Sequence, residues 1–172
     1  WLRFQVIPVD STGAVGEPAL SEPVRINTRV VVDTWSDPFA ANDTYLTLID
    51  ARGGLVAEDD DGNPAQGTYN VGCSRIDVAA GLPAGSYYAK VHKPTDTGNP
   101  NYGFRVADYD PGTDFPPIVP ANEDESLVQI DDAVDATTGV PTAPWPVQLG
   151  EVVSRSIFPT LTDDDWYGFV IE

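Results

Sequence analysis

Turn-forming residues recur so often in this chain that no long regular segment fits between them: 16 prolines and 15 glycines interrupt its 172 residues. Between those breaks the apolar residues alternate with period two, as strands with one buried face require. Residues 1–9 set Leu2, Phe4 and Val6 on one side and Arg3 and Gln5 on the other, and residues 23–26 form a further short strand. Residues 29–35, RVVVDTW, are β-branched and strand-forming. Residues 44–49, TYLTLI, alternate Tyr45 and Thr47 against Leu46 and Leu48, and the turn Asp50-Ala51-Arg52-Gly53-Gly54 sends the chain back through residues 55–57. Further strands are predicted at 74–78, 86–92, 102–107, within 145–157, and at 166–171. No stretch has room for the crossover helices of a parallel α/β sheet. The expected fold is all-β, an antiparallel β-sandwich of jelly-roll-like form, with its core supplied by four Trp, seven Tyr and six Phe.

Charge narrows the function classes. There are 27 acidic residues against nine basic ones, a formal net charge of −18. Such a surface repels phosphate backbones and anionic lipid, so neither nucleic-acid binding nor membrane docking is expected. The surplus reads either as a solubilising surface on an extracellular or salt-adapted protein or as carboxylates converging on a divalent cation. Cys73 is the single cysteine, which excludes an intrachain disulfide and reads as a buried structural thiol. No apolar run approaches the length of a membrane span, and Trp1 begins no signal-peptide pattern, so an export signal is expected elsewhere. From 108 to about 120 the composition turns to Pro, Asp and Gly, the mark of a linker, and residues 122–138 are acidic with room for a short helical turn.

Several motifs in fixed order resemble the bacterial pre-peptidase C-terminal domain family, a relative of collagen-binding-domain-like sandwiches. They are DTYLTLIDARGGLVAEDDDG (43–62), SRIDV (74–78), LPAGSYYAKV (82–91) and YGFRV (102–106). The resemblance covers roughly residues 29–107. The tail, LGEVVSRSIFPTLTDDDWYGFVIE (149–172), resembles the family's opening strands instead, so the pieces stand in rotated order. Residues 1–26 are similar to the last hairpin of a fibronectin type III-like module, or else to the first strand of an array whose second copy begins in the tail. The expected organisation is an N-terminal strand or hairpin segment at 1–26 and the sandwich at 27–108. An acidic, Pro-rich linker follows at 109–144, then opening strands at 145–172 that complete a sandwich in cis or in trans. Strand-exchanged oligomers are one consequence of the trans arrangement. The resemblance implies a non-catalytic accessory module of a secreted or surface protein, whose partners are other modules of the same polypeptide. The alternative is a calcium-dependent adhesin or lectin-like module for polysaccharide or extracellular-matrix protein.

No catalytic residues are expected. His92 is the single histidine, at a strand end beside Lys93, and no G-x-S-x-G elbow occurs. One Cys and one His do not make a zinc site. The chemical candidate is Ca²⁺: Glu58, Asp59, Asp60, Asp61 and Asn63 put hard oxygen donors on one predicted loop, with Gly62 for a sharp turn. A solvated acidic hairpin accounts for the same residues. For ligand stacking the candidates are Tyr87, Tyr69 and Tyr102. Tyr87 and Tyr88 must face opposite sides of one strand; Tyr88 and Trp35 are assigned to the core and Tyr87 to the surface.

Overall fold

The computed structural model describes residue 3 and residues 5–20, 27–36, 43–62, 72–93, 101–112, 115–118, 133–157 and 164–172. Eleven strands are formed among the described residues: β1 (Gln5–Val6), β2 (Ala19–Leu20), β3 (Thr28–Trp35), β4 (Tyr45–Asp50), β5 (Leu55–Asp60), β6 (Arg75–Leu82), β7 (Gly85–His92), β8 (Asn101–Ala107), β9 (Trp145–Pro146), β10 (Val152–Ser156) and β11 (Asp164–Ile171). One sheet runs β10-β8-β3-β6 and the other β5-β4-β7-β11-β9. Their inner faces pack together as an all-β sandwich. No helix occurs among the described residues. The tail supplies a strand to each sheet: β10 pairs antiparallel with β8, and β11 lies between antiparallel β7 and parallel β9.

Alternation decides what goes inside. Val30 and Val32 of β3, Leu46 and Leu48 of β4, Ala89 and Val91 of β7, and Phe104 and Val106 of β8 are all fully buried in one cluster with Tyr167, Phe169 and Ile171 of β11. The Phe104 and Tyr167 rings stack across the sheets at 3.9 Å, a contact worth about 0.5–1.5 kcal/mol beyond its buried area. The core also holds a polar knot. Tyr102 donates to the Asp165 carboxylate, and its hydroxyl lies 2.5 Å from that of Tyr167.

Outward-facing positions are covered as well. Arg29, Asp33 and Trp35 point out from β3, yet Asp33 and Trp35 are buried. Residues 108–112 and 115–118, whose composition reads as linker, lie against this face. The Trp35 indole N–H donates to the Pro116 carbonyl at 3.0 Å, and the Phe115 ring sits 5.3 Å from that of Trp35. Trp35 in turn lies flat on Gly103, where a Cβ would collide with the indole. On the other sheet Pro144 covers Gly168. Residues 133–142 form a small hairpin, with Asp135 accepting from the Thr137 and Thr138 amides; most of the stretch 122–138, where the composition allowed a short helical turn, lies outside the described residues.

The N-terminal hairpin of β1 and β2 stands apart from both sheets. Its Ile7, Val9, Val15 and Leu20 are all at least half exposed. Of the strand predicted at 1–9, β1 takes Gln5–Val6; residues 1, 2 and 4, and the strand predicted at 23–26, lie outside the described residues.

Candidate functional site

The β4–β5 hairpin gathers a group of three carboxylates among the described residues. Asp50 holds its turn, accepting from the Arg52 and Gly54 amides at 2.8 Å each. That fixes the register so that Tyr45 faces Asp60. Asp43, two residues before Tyr45, therefore arrives beside Asp60 and Asp61, and one carboxylate oxygen from each of the three lies within 4.8 Å of the others. Asp61 adopts a left-handed φ of 65°, which Asp tolerates better than most residues. The amide of Gly62 closes the turn on the Asp59 carboxylate at 2.8 Å.

Beside these acids the two sheets are stitched by buried hydroxyls. The Thr34 and Thr44 hydroxyls are 2.6 Å apart, the Ser74 amide donates to Thr34 Oγ1 at 2.9 Å, and the Ser74 hydroxyl donates to the Thr44 carbonyl. Cys73 is buried here, as the sequence reading expects, and burial pushes its thiol up to about 11. A thiol held protonated at neutral pH is neither a nucleophile nor a metal ligand.

Partial loss of water around the mostly exposed Asp60 raises its carboxyl above the ordinary range, and the charges of Asp61, Asp43 and Asp59 add to it. Like charges brought together in this way are relieved by a cation or by a proton. All three donors are hard oxygens, the class Ca²⁺ takes. They leave at least half of its six to eight positions to water or carbonyl oxygen.

Of the five residues expected to bind metal, two join this group. Asp60 and Asp61 do. Asp59 is committed elsewhere: its Oδ2 accepts from the amides of both Gly62 and Arg75, so it pins the end of β5 to the start of β6. The Glu58 carboxylate takes the Tyr45 hydroxyl, which raises that phenol. Asn63 lies outside the described residues. Nor do these acids share a loop, because Glu58, Asp59 and Asp60 belong to β5 itself. Pairing with β4 overrides the low strand propensity of Asp, and the charges then guard an edge strand. Asp43 was missed, although counting back from the Asp50 turn places it opposite the end of β5.

The aromatic platform does not form. Tyr87 is buried, its ring stacked with Phe169 at 5.9 Å and its hydroxyl bonded to the Pro83 carbonyl at 2.9 Å. Tyr102 is buried in the polar knot. Tyr69 lies outside the described residues. Tyr88 is the half-exposed member of its pair, the reverse of the assignment from sequence, while Trp35 is buried as assigned. The cause is phase: Tyr87 is in step with Ala89 and Val91, whereas Tyr88 is in step with Lys90 and His92.

His92 packs on the Tyr45 ring at 4.9 Å, and burial and then Lys90 lower its pKa. Its Nδ1 has no hydrogen-bond partner among the described residues. At the opposite end of the sandwich a cleft of about 490 Å³ opens between Thr28, Asp108, Val147, Leu149 and the end of β11. Its lining has neither a histidine nor a cysteine. No family model, curated protein or solved structure matches the chain.

Proposed function

We propose that the chain is a non-catalytic accessory module of a secreted or cell-surface bacterial protein, of the pre-peptidase C-terminal type its motifs resemble, aiding secretion, stability or attachment. The observation that carries this reading is how the ionisable groups are engaged. Asp10, Asp50 and Asp135 cap turns through backbone amides. Asp33 is held between Arg105 and Arg75, and Asp165 accepts from a core tyrosine. A catalytic group has to meet substrate together with its proton-transfer partner, and these side chains are already taken up by the fold. The β1–β2 hairpin, with its uncovered aliphatic residues, suits a chain whose partners are other modules of the same polypeptide.

One observation favours a second reading, a calcium-dependent adhesive module for polysaccharide or extracellular-matrix protein: the convergence of Asp43, Asp60 and Asp61. Two measurements on the purified chain separate the readings. The first is thermal unfolding in excess Ca²⁺ and in excess chelator at matched ionic strength, since a ligand of the native state raises the midpoint. The second is binding to panels of polysaccharides and matrix proteins. An unchanged midpoint with no binding is expected for the accessory role. A calcium-dependent rise with saturable binding transfers the assignment to the adhesive role, and turnover of any offered substrate sinks both.

A further inference from the structure

The outer face of the β10-β8-β3-β6 sheet carries a continuous row of ion pairs in which three of the nine basic residues take part. Arg105 Nη2 meets Asp33 at 3.0 Å and Arg75 Nη1 meets it at 3.5 Å. Arg75 Nη2 then reaches Asp110 at 2.6 Å, Arg29 reaches the other oxygen of Asp110 at 3.4 Å, and Arg29 ends the row on Asp77 at 2.6 Å. Five of these six residues stand on strands. Asp110 alone comes from the segment of residues 108–112 and 115–118 that crosses the face.

This segment pairs with no strand among the described residues. What ties it down is side-chain chemistry: the two Asp110 ion pairs, Arg75 donating to the Gly112 carbonyl at 3.2 Å, and Trp35 donating to Pro116. Phe115, half buried against Trp35 and Arg105, adds the apolar anchor. Tyr109 faces solvent. Elements fastened this way open at lower free energy than the strands beneath them.

We infer that residues 108–112 and 115–118 form a strap latched by the charge of Asp110 between Arg75 and Arg29, able to lift from the sheet while the sandwich stays folded. Lifting it uncovers Trp35 and leaves Arg29, Arg75 and Arg105 facing two carboxylates, Asp33 and Asp77, in place of three. The latch responds to conditions in a definite way. Asp110 is ionised at neutral pH, held down by the Gly112 amide and by Arg75. The charged groups facing it are Arg29 and Asp33 of β3, Arg75 and Asp77 of β6, and Arg105 of β8. Neutralising Asp110 leaves these in place and removes only the strap charge that meets Arg75 and Arg29.

Hydrogen exchange read peptide by peptide tests the strap in the full chain. Two perturbations are applied at neutral pH: Asp110→Asn, and raising NaCl from about 0.1 M to about 1 M, which shortens the screening length from about 10 Å to about 3 Å. The substituted side chain keeps an oxygen for the Gly112 amide, so charge is the variable. Strap amides are expected to exchange roughly three- to tenfold faster in each case, as for the loss of two partly exposed ion pairs, with β3 and β8 amides unchanged. Strap exchange indifferent to both perturbations overturns the latch. Exchange of the strap in step with β3 and β8 overturns it too, because the segment then opens only with the sandwich.

Discussion

The two acid-rich regions of this molecule use the same side chain in opposite ways. On the outer face of the four-stranded sheet each carboxylate meets a guanidinium: Asp33 two of them, Asp110 two, Asp77 one. At the end of the β4–β5 hairpin Asp43, Asp60 and Asp61 meet one another. The first arrangement fixes a fold and holds its charges even where burial opposes them. Burial of Asp33 outweighs both arginines and raises its carboxyl above the ordinary range. The second arrangement is destabilising unless something positive arrives. A formal charge of −18 is therefore not one property of the chain, because part of it is neutralised by arginine and part is left facing like charge.

The largest effect is expected where the neutralised charge is deepest. Asp33→Ala removes the carboxylate that Arg105 and Arg75 both meet in a buried site, a loss of about 3–5 kcal/mol. Denaturant unfolding at neutral pH checks this, and a loss within experimental scatter would show that the row contributes only solubility. Next comes the core knot. Tyr102→Phe removes the hydroxyl that donates to Asp165 and meets that of Tyr167, two buried polar contacts, for about 1–3 kcal/mol. Because Tyr102 and Asp165 interact directly, a Tyr102→Phe/Asp165→Asn double variant is expected to fall short of the sum of the two single losses. Simple additivity would mean that the knot is not a unit.

The sandwich was legible because strand period and turn chemistry act locally. TYLTLI followed by Asp50-Ala51-Arg52-Gly53-Gly54 can hardly do anything but form a hairpin, and it does so in the expected phase. What failed were inferences that needed a neighbour. Tyr87 and Tyr88 are alike as residues, and only the register with β4 and β11 selects Tyr87 for the core; Lys90, in phase with Tyr88, was the available clue. Glu58, Asp59 and Asp60 have the composition of a loop, yet the hairpin carries them along as an edge strand. Residues 108–112 and 115–118 read as a linker because a segment held to the sheet by side-chain contacts leaves no periodicity. Its partners, Arg75 and Trp35, are 35 and 81 residues away from the positions they hold. The same distance explains why Asp33 and Arg105 were passed over: a buried ion pair between separate strands has no local pattern.

The two regions should also separate by pH. Asp77 is held below the ordinary carboxylate range by Arg29, so its stabilisation is complete above the unfolded-state value and is lost as pH falls through its lowered folded value. Asp60 is shifted up, so its contribution has the opposite sign: the native state takes up the proton first, and stability is regained as pH falls through the raised value. Comparing Asp77→Asn with Asp60→Asn across the acid limb isolates the two. Relative to wild type, the Asp77→Asn deficit should shrink on acidification, and the Asp60→Asn advantage should shrink as well.

That advantage is the smallest effect expected and the most informative about the acidic end. Asp60 is largely solvent-exposed, so water screens its repulsion from Asp43 and Asp61, and without divalent cation Asp60→Asn gains no more than about 0.5 kcal/mol. Excess Ca²⁺ should reverse the order if the three carboxylates converge on a cation, since a bound ion stabilises the wild type and the variant has lost one of its three charged donors. The comparison of midpoints with and without Ca²⁺ thus reads a change of sign rather than a magnitude. If Asp60→Asn stays slightly more stable in both conditions, the charges at this end serve only to keep an edge strand in water, and the contrast between the two regions reduces to carboxylates held by arginine against carboxylates held by solvent.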